Sequence, residues 1–130
     1  MPIHISWAND EKTILMETYE GRWTIEEYYQ LIDDAAALLA ETPHIVHIIG
    51  DATHSSIPPS QILMGIQYAI KKLPPNQGLT IFVKLSRVMR MFVDVGRQIS
   101  PKIAQTTYAV DNLEEAHDLI ARKGHTIQPG

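Results

Sequence analysis

The sequence predicts an α/β fold with a mainly parallel sheet and an antiparallel hairpin at its amino-terminal edge, in the element order β-β-α-β-α-β-α-β-α. Three observations carry this. Short apolar runs rich in β-branched residues, such as "HIVHIIG" and "GLTIFVK", alternate with longer stretches of helical periodicity. The first two extended runs are separated only by a short polar turn, so they pair as neighbours. The chain has 130 residues and no cysteine, the length of one domain that hides roughly two-thirds of its unfolded surface without disulfides or Cys-ligated zinc.

The elements follow in order. Residues 3–7 alternate apolar and polar side chains, and residues 13–19 do so less cleanly; Asn9 and Asp10 between them mark a hairpin. In "GRWTIEEYYQLIDDAAALLAE" the apolar positions Ile25, Ile32 and Leu39 recur at helical spacing. Thr24 with Glu27 three residues on forms a capping box, and Trp23 with Tyr28 its hydrophobic staple. Pro43 stops this helix, and residues 44–50 form a strand covered on at least one face. Pro58 and Pro59 open a second helix marked by Ile62, Ile66 and Ile70 and ended by Pro74 and Pro75. A strand over 79–84 follows, then a helix capped by Ser86 that runs to about Ile99. A last strand over 105–110 leads to a helix, "DNLEEAHDLIARKG", with Asp111 or Asn112 as cap and Gly124 at its end. One domain spanning 1–130 is expected, with right-handed crossovers between its parallel strands.

Charge and motifs exclude several functions. The 11 basic and 15 acidic residues give a net charge of −4, the wrong sign for a nucleic-acid binder. Membrane insertion is not expected, and a cytoplasmic location is the default. Phosphate-loop and dinucleotide signatures are missing. His44 and His47 lie three apart in a strand and cannot converge with His54 on one ion, so no metal or other cofactor is expected. His47, alternating with Ile45 and Ile49, reads as a hydrogen-bonded, partly buried residue, and His117 as a helix-surface residue. Asp51, His54 and Ser55 crowd one connection without the geometry of a catalytic triad. No catalytic residues are assigned, and the chain is not expected to be an enzyme.

Two stretches point to binding. "GDATHSSIPPS", residues 50–60, reads as a polar connection at the carboxyl end of a strand, where the functional sites of such sheets lie. In "SRVMRMFVDVGRQI" Val88, Phe92, Val95 and Ile99 form the stripe for the core, leaving Met89, Met91 and Val93 as surplus apolar surface beside Arg87 and Arg90. Methionine and arginine suit a protein interface. That face would serve a protein partner or a homodimer.

With "HIIGDAT", "GLTIFVKLS" and "VDNLEEAHDLI" added to the first helix, nearly the whole chain resembles the STAS, or SpoIIAA-like, family, in particular its small bacterial single-domain members. The resemblance implies a non-enzymatic regulatory module that binds a kinase or another regulatory protein through the loop after its third strand and the adjoining helix. In the family's anti-sigma-factor antagonists that strand ends in Asp, and an Asp-Ser-Ser-Gly run at a helix start carries the phosphorylated Ser. Asp51 matches the first Asp and Thr53 a common Ser or Thr. The second Asp falls near Ser56, the phosphoacceptor near Ile57, and Pro58-Pro59 replace the Gly. Ser55, Ser56 and Ser60 are the displaced acceptor candidates. The alternative is a small apolar or lipid-like ligand, by analogy with the related layout of CRAL-TRIO lipid-binding domains; a cavity of about 300 Å³ or more would mark it.

Overall fold

A computed structural model describes residues 2–56 and 58–127. Its five strands, β1 (Ile3–Trp7), β2 (Ile14–Gly21), β3 (Val46–Ser55), β4 (Gln77–Val83) and β5 (Thr107–Val110), lie side by side in that order. β1 pairs antiparallel with β2, and every other pairing is parallel. The hairpin turn is held by Asn9, whose side-chain oxygen accepts the Thr13 and Ile14 amides, while Lys12 takes the left-handed conformation at φ 57°.

Helices α1 (Ile25–Ala40), α2 (Ile62–Lys71) and α3 (Arg87–Ile99) pack on one face of the sheet, and α5 (Leu113–Lys123) covers the other. α1 is the best specified locally. Thr24 and Glu27 make the reciprocal capping box, and the Trp23 and Tyr28 rings stack 5.6 Å apart as its staple. Ile25, Tyr28, Leu31, Ala35 and Leu39 turn inward, onto Leu15, Val46, Ile48 and the inward residues of β1 and β2. On the opposite face Ile49, Leu79, Ile81 and Val83 meet Ala116 and Leu119 of α5. His47, buried on that face, accepts the Leu79 amide through Nδ1 at 2.9 Å.

The structure corrects the expected elements at three places. β3 runs to Ser55, so Asp51 to Ser55 are strand and the connection begins at Ser56. The cause is β2, which extends to Gly21 and supplies hydrogen-bonding partners as far as Ser55. A short helix, α4 (Pro101–Thr106), replaces the start of the expected last strand. Ser100 caps it by accepting the Ile103 amide and Pro101 occupies its first turn, which outweighs the strand propensity of the threonines. Along α3 the inward stripe is Met89, Phe92, Val93 and Gly96, while Val88 and Ile99 are exposed. Both stripes fit helical spacing; packing of α3 against α2, with Gly96 set against Ile66, selects between them.

Candidate functional site

Residues of β2, β3 and β4 and of the helices above them line a partly open cavity of about 120 Å³, mostly with apolar side chains. Glu17 projects into it from β2, on the same pleat face as the core residues Leu15 and Tyr19. It is 5 % exposed. The Tyr19 hydroxyl donates to its Oε1 at 3.0 Å. Burial pushes the Glu17 carboxyl up to about 7, opposed in part by that hydrogen bond. The same burial, with Glu17 beside it, raises the Tyr28 hydroxyl well above its ordinary value.

Tyr19, Trp23 and Tyr28 form a connected run of rings along this wall, with centroids 5.5 and 5.6 Å apart. Ile48 and Ala52 of β3 supply the floor, and Ile66 of α2 with Met89 and Val93 of α3 supply part of the roof. Glu17 was missed in the sequence. Its one signal there was the imperfect alternation of residues 13–19, where a carboxylate stands between two inward apolar residues.

The residues singled out in the sequence divide between the rim, the cavity and the outer surface. The Asp51 carboxylate accepts both the Thr53 amide, at 3.0 Å, and the Thr53 hydroxyl, at 2.5 Å, as a local turn-type cap. Ser55 lines the cavity: its Oγ accepts the Trp23 indole N–H at 2.9 Å, and its hydroxyl donates to the Ser56 carbonyl. The Ser56 amide is held by the Gly21 carbonyl, while its side chain is exposed. Ser60 is exposed beside Gln61, the N-cap of α2, which makes no side-chain cap bond. Ile57, at the family's acceptor position, lies outside the described residues. His54 is exposed on β3 and His117 on α5.

On α3, Arg87, Arg90 and Met91 face outward, with Arg90 paired to Asp111 at 3.2 Å. Met89 and Val93 instead line the cavity, so the five residues expected at an interface lie on two sides of the helix. α2 also exposes apolar side chains. Leu63 and Met64 are 39 % and 61 % exposed, and Val88 and Met91 are 47 % and 57 % exposed.

Neither a family model nor a curated protein matches the chain. Solved structures do. The phosphorylated form of the Bacillus cell fate determinant SpoIIAA aligns over 91 % of this chain and 98 % of its own, with a TM-score of 0.60 at 16 % identity. The chain has the SpoIIAA-like fold. The unphosphorylated form of SpoIIAA, an anti-sigma factor antagonist, aligns over 92 % of this chain and 97 % of its own, with a TM-score of 0.55 at 16 % identity. An uncharacterized protein from Shewanella loihica with a SpoIIAA-like fold aligns over 89 % of both chains, with a TM-score of 0.59 at 18 % identity. The expected mixed sheet with its antiparallel edge hairpin is therefore the observed one, in the SpoIIAA-like arrangement. No helix among the described residues is long and apolar enough to cross a membrane.

Proposed function

We propose that the chain is a non-enzymatic regulatory module that docks a protein partner through residues 56–61 and the outward sides of α2 and α3. The observation that carries this is the exposure of four large apolar side chains on these two helices, Leu63 and Met64 of α2 and Val88 and Met91 of α3, in a setting that includes the exposed Arg87. The occupant is a regulatory protein with an apolar centre and an acidic rim. The SpoIIAA-like fold supports the reading, since one of the aligned proteins is an anti-sigma factor antagonist. A phosphoswitch on Ser56 or Ser60 belongs to the same proposal. Both are exposed between β3 and α2, and Ser60 lies just ahead of the α2 N-terminus, where the helix dipole favours a phosphate.

Photo-methionine incorporation tests the docking surface. Crosslinks from Met64 and Met91 to one other protein are expected, with the Met64 crosslink lost on Met91→Asp. Crosslinks confined to a second copy of this chain would replace the partner with a homodimer, and none at either position would overturn the proposal. A lipid-like ligand has weaker support, because a cavity of about 120 Å³ is smaller than the roughly 300 Å³ at which pockets for ligands of that size begin.

A further inference from the structure

The cavity beneath α2 and α3 holds an acid without a counter-ion. Glu17 is almost fully buried, and no Lys, Arg or His among the described residues pairs with it. A buried carboxylate is costly when ionised unless a cation meets it. Fully enclosed polar side-chain atoms among the described residues all have hydrogen-bond partners, and Glu17 is bonded through Oε1. Its other oxygen is therefore the one that opens on the cavity.

Three aromatic rings, Tyr19, Trp23 and Tyr28, stand in the same wall. Aromatic faces attract cations through their quadrupole, and the attraction grows when water is excluded. A carboxylate flanked by such rings, with aliphatic side chains beyond, is complementary to an ammonium head on a short alkyl stem. We propose that this cavity is a binding site for a small organic ammonium ion, its charged nitrogen on Glu17 and among the three rings, its alkyl part against Ile66, Met89 and Val93. A cavity of about 150 Å³ holds a benzene molecule, so one of about 120 Å³ takes roughly five heavy atoms.

The site goes beyond partner docking and does not depend on it. It touches Ser55, whose Oγ holds the Trp23 indole, so occupancy would be felt at the end of β3.

The charge of the site is set by few groups. Besides Glu17, the titratable side chains facing the cavity are Tyr19 of β2, Tyr28 of α1 and Lys72 at the end of α2. Burial holds both tyrosines neutral across the physiological range, and the Lys72 ammonium sits over the Tyr68 ring, 5.6 Å from its centroid. The remaining lining residues contribute apolar, hydroxyl and indole groups and the uncharged amide of Gln77. Glu17, which ionises near pH 7, therefore governs binding.

The probe is butylammonium chloride, with 1-butanol as its neutral counterpart, titrated while the Trp23 indole N–H is followed by NMR. Butylammonium is expected to shift that resonance and to bind about tenfold more tightly at pH 8 than at pH 6, following the ionised fraction of Glu17. Glu17→Gln should remove the preference for butylammonium over butanol, and Ala36→Leu, which fills the cavity and leaves Glu17 in place, should weaken both ligands. Equal binding of the two ligands by the wild-type protein would overturn the proposal. So would tighter butylammonium binding at pH 6 than at pH 8, or retention of the preference in a folded Glu17→Gln protein.

Discussion

The Trp23 indole N–H donates to Ser55 Oγ at 2.9 Å, joining the start of α1 to the end of β3. Ser55 is thereby committed to structure. Trp23 is buried, so removing its acceptor leaves an unsatisfied donor. Ser55→Ala should cost about 1–2 kcal/mol in denaturant unfolding. For the same reason any phosphate on protein isolated from its own cells should map by mass spectrometry to Ser56 or Ser60, and modification of Ser55 with an intact fold would contradict this.

Glu17 makes stability depend on pH in a predictable direction. Its folded-state carboxyl ionises near 7 against an ordinary value of 4.5, so the fold favours its protonated form. That contribution is fully present below about pH 4.5 and is lost as pH rises to about 7, reaching about 3 kcal/mol. The stability of Glu17→Gln relative to wild type should therefore climb across this window and level off above it. Paired thermal or urea unfolding series from pH 4 to pH 8 would show a flat difference if Glu17 were solvated.

His47 acts in the opposite sense. Burial lowers its pKa below 6.5, and its Nδ1 must remain unprotonated to accept the Leu79 amide. The stability it lends is present above pH 6.5 and lost as pH falls through the lower folded value. An NMR titration of its ring should show a midpoint below 6.5 that coincides with loosening of the Leu79 amide.

Asn76 ties three carbonyls together, donating from Nδ2 to Leu39, Thr42 and His44 at 2.9–3.0 Å. It closes the end of α1 against the start of β4. Asn76→Ala should cost about 2 kcal/mol, because the carbonyls lose a shared donor in a partly buried setting. A change below about 0.5 kcal/mol would show that water replaces it without penalty.

Met89 and Met91 are two residues apart and should respond differently to the same change. Met89 lines the cavity and packs against the core, whereas Met91 is exposed. Met89→Asp should destabilise the fold by about 3 kcal/mol and Met91→Asp by less than about 0.5. Similar costs at both positions would reverse the assigned faces of α3.

Much of the molecule was determined locally and was legible in the sequence. The capping box of Thr24 and Glu27, the Asn9 turn and the Ser86 cap are encoded by residues within a few positions of one another, and all three form as read. The alternation of strand and helix signals, with the chain-wide resemblance, led to the mixed sheet of a SpoIIAA-like fold. Tertiary structure decided the rest. How far β3 extends depended on β2 offering hydrogen-bond partners up to Gly21, and pairing between distant segments leaves no mark in the shorter run of residues. Which apolar stripe of α3 turned inward depended on the sheet and α2 beneath it, since Met89 and Val88 are equally apolar and one position apart. The cavity depended on all of these at once: Glu17, Trp23, Ser55 and Met89 come from four segments. Nothing in sequence spacing joins them, because their proximity is set by the crossovers that stack α1, α2 and α3 over one face of the sheet.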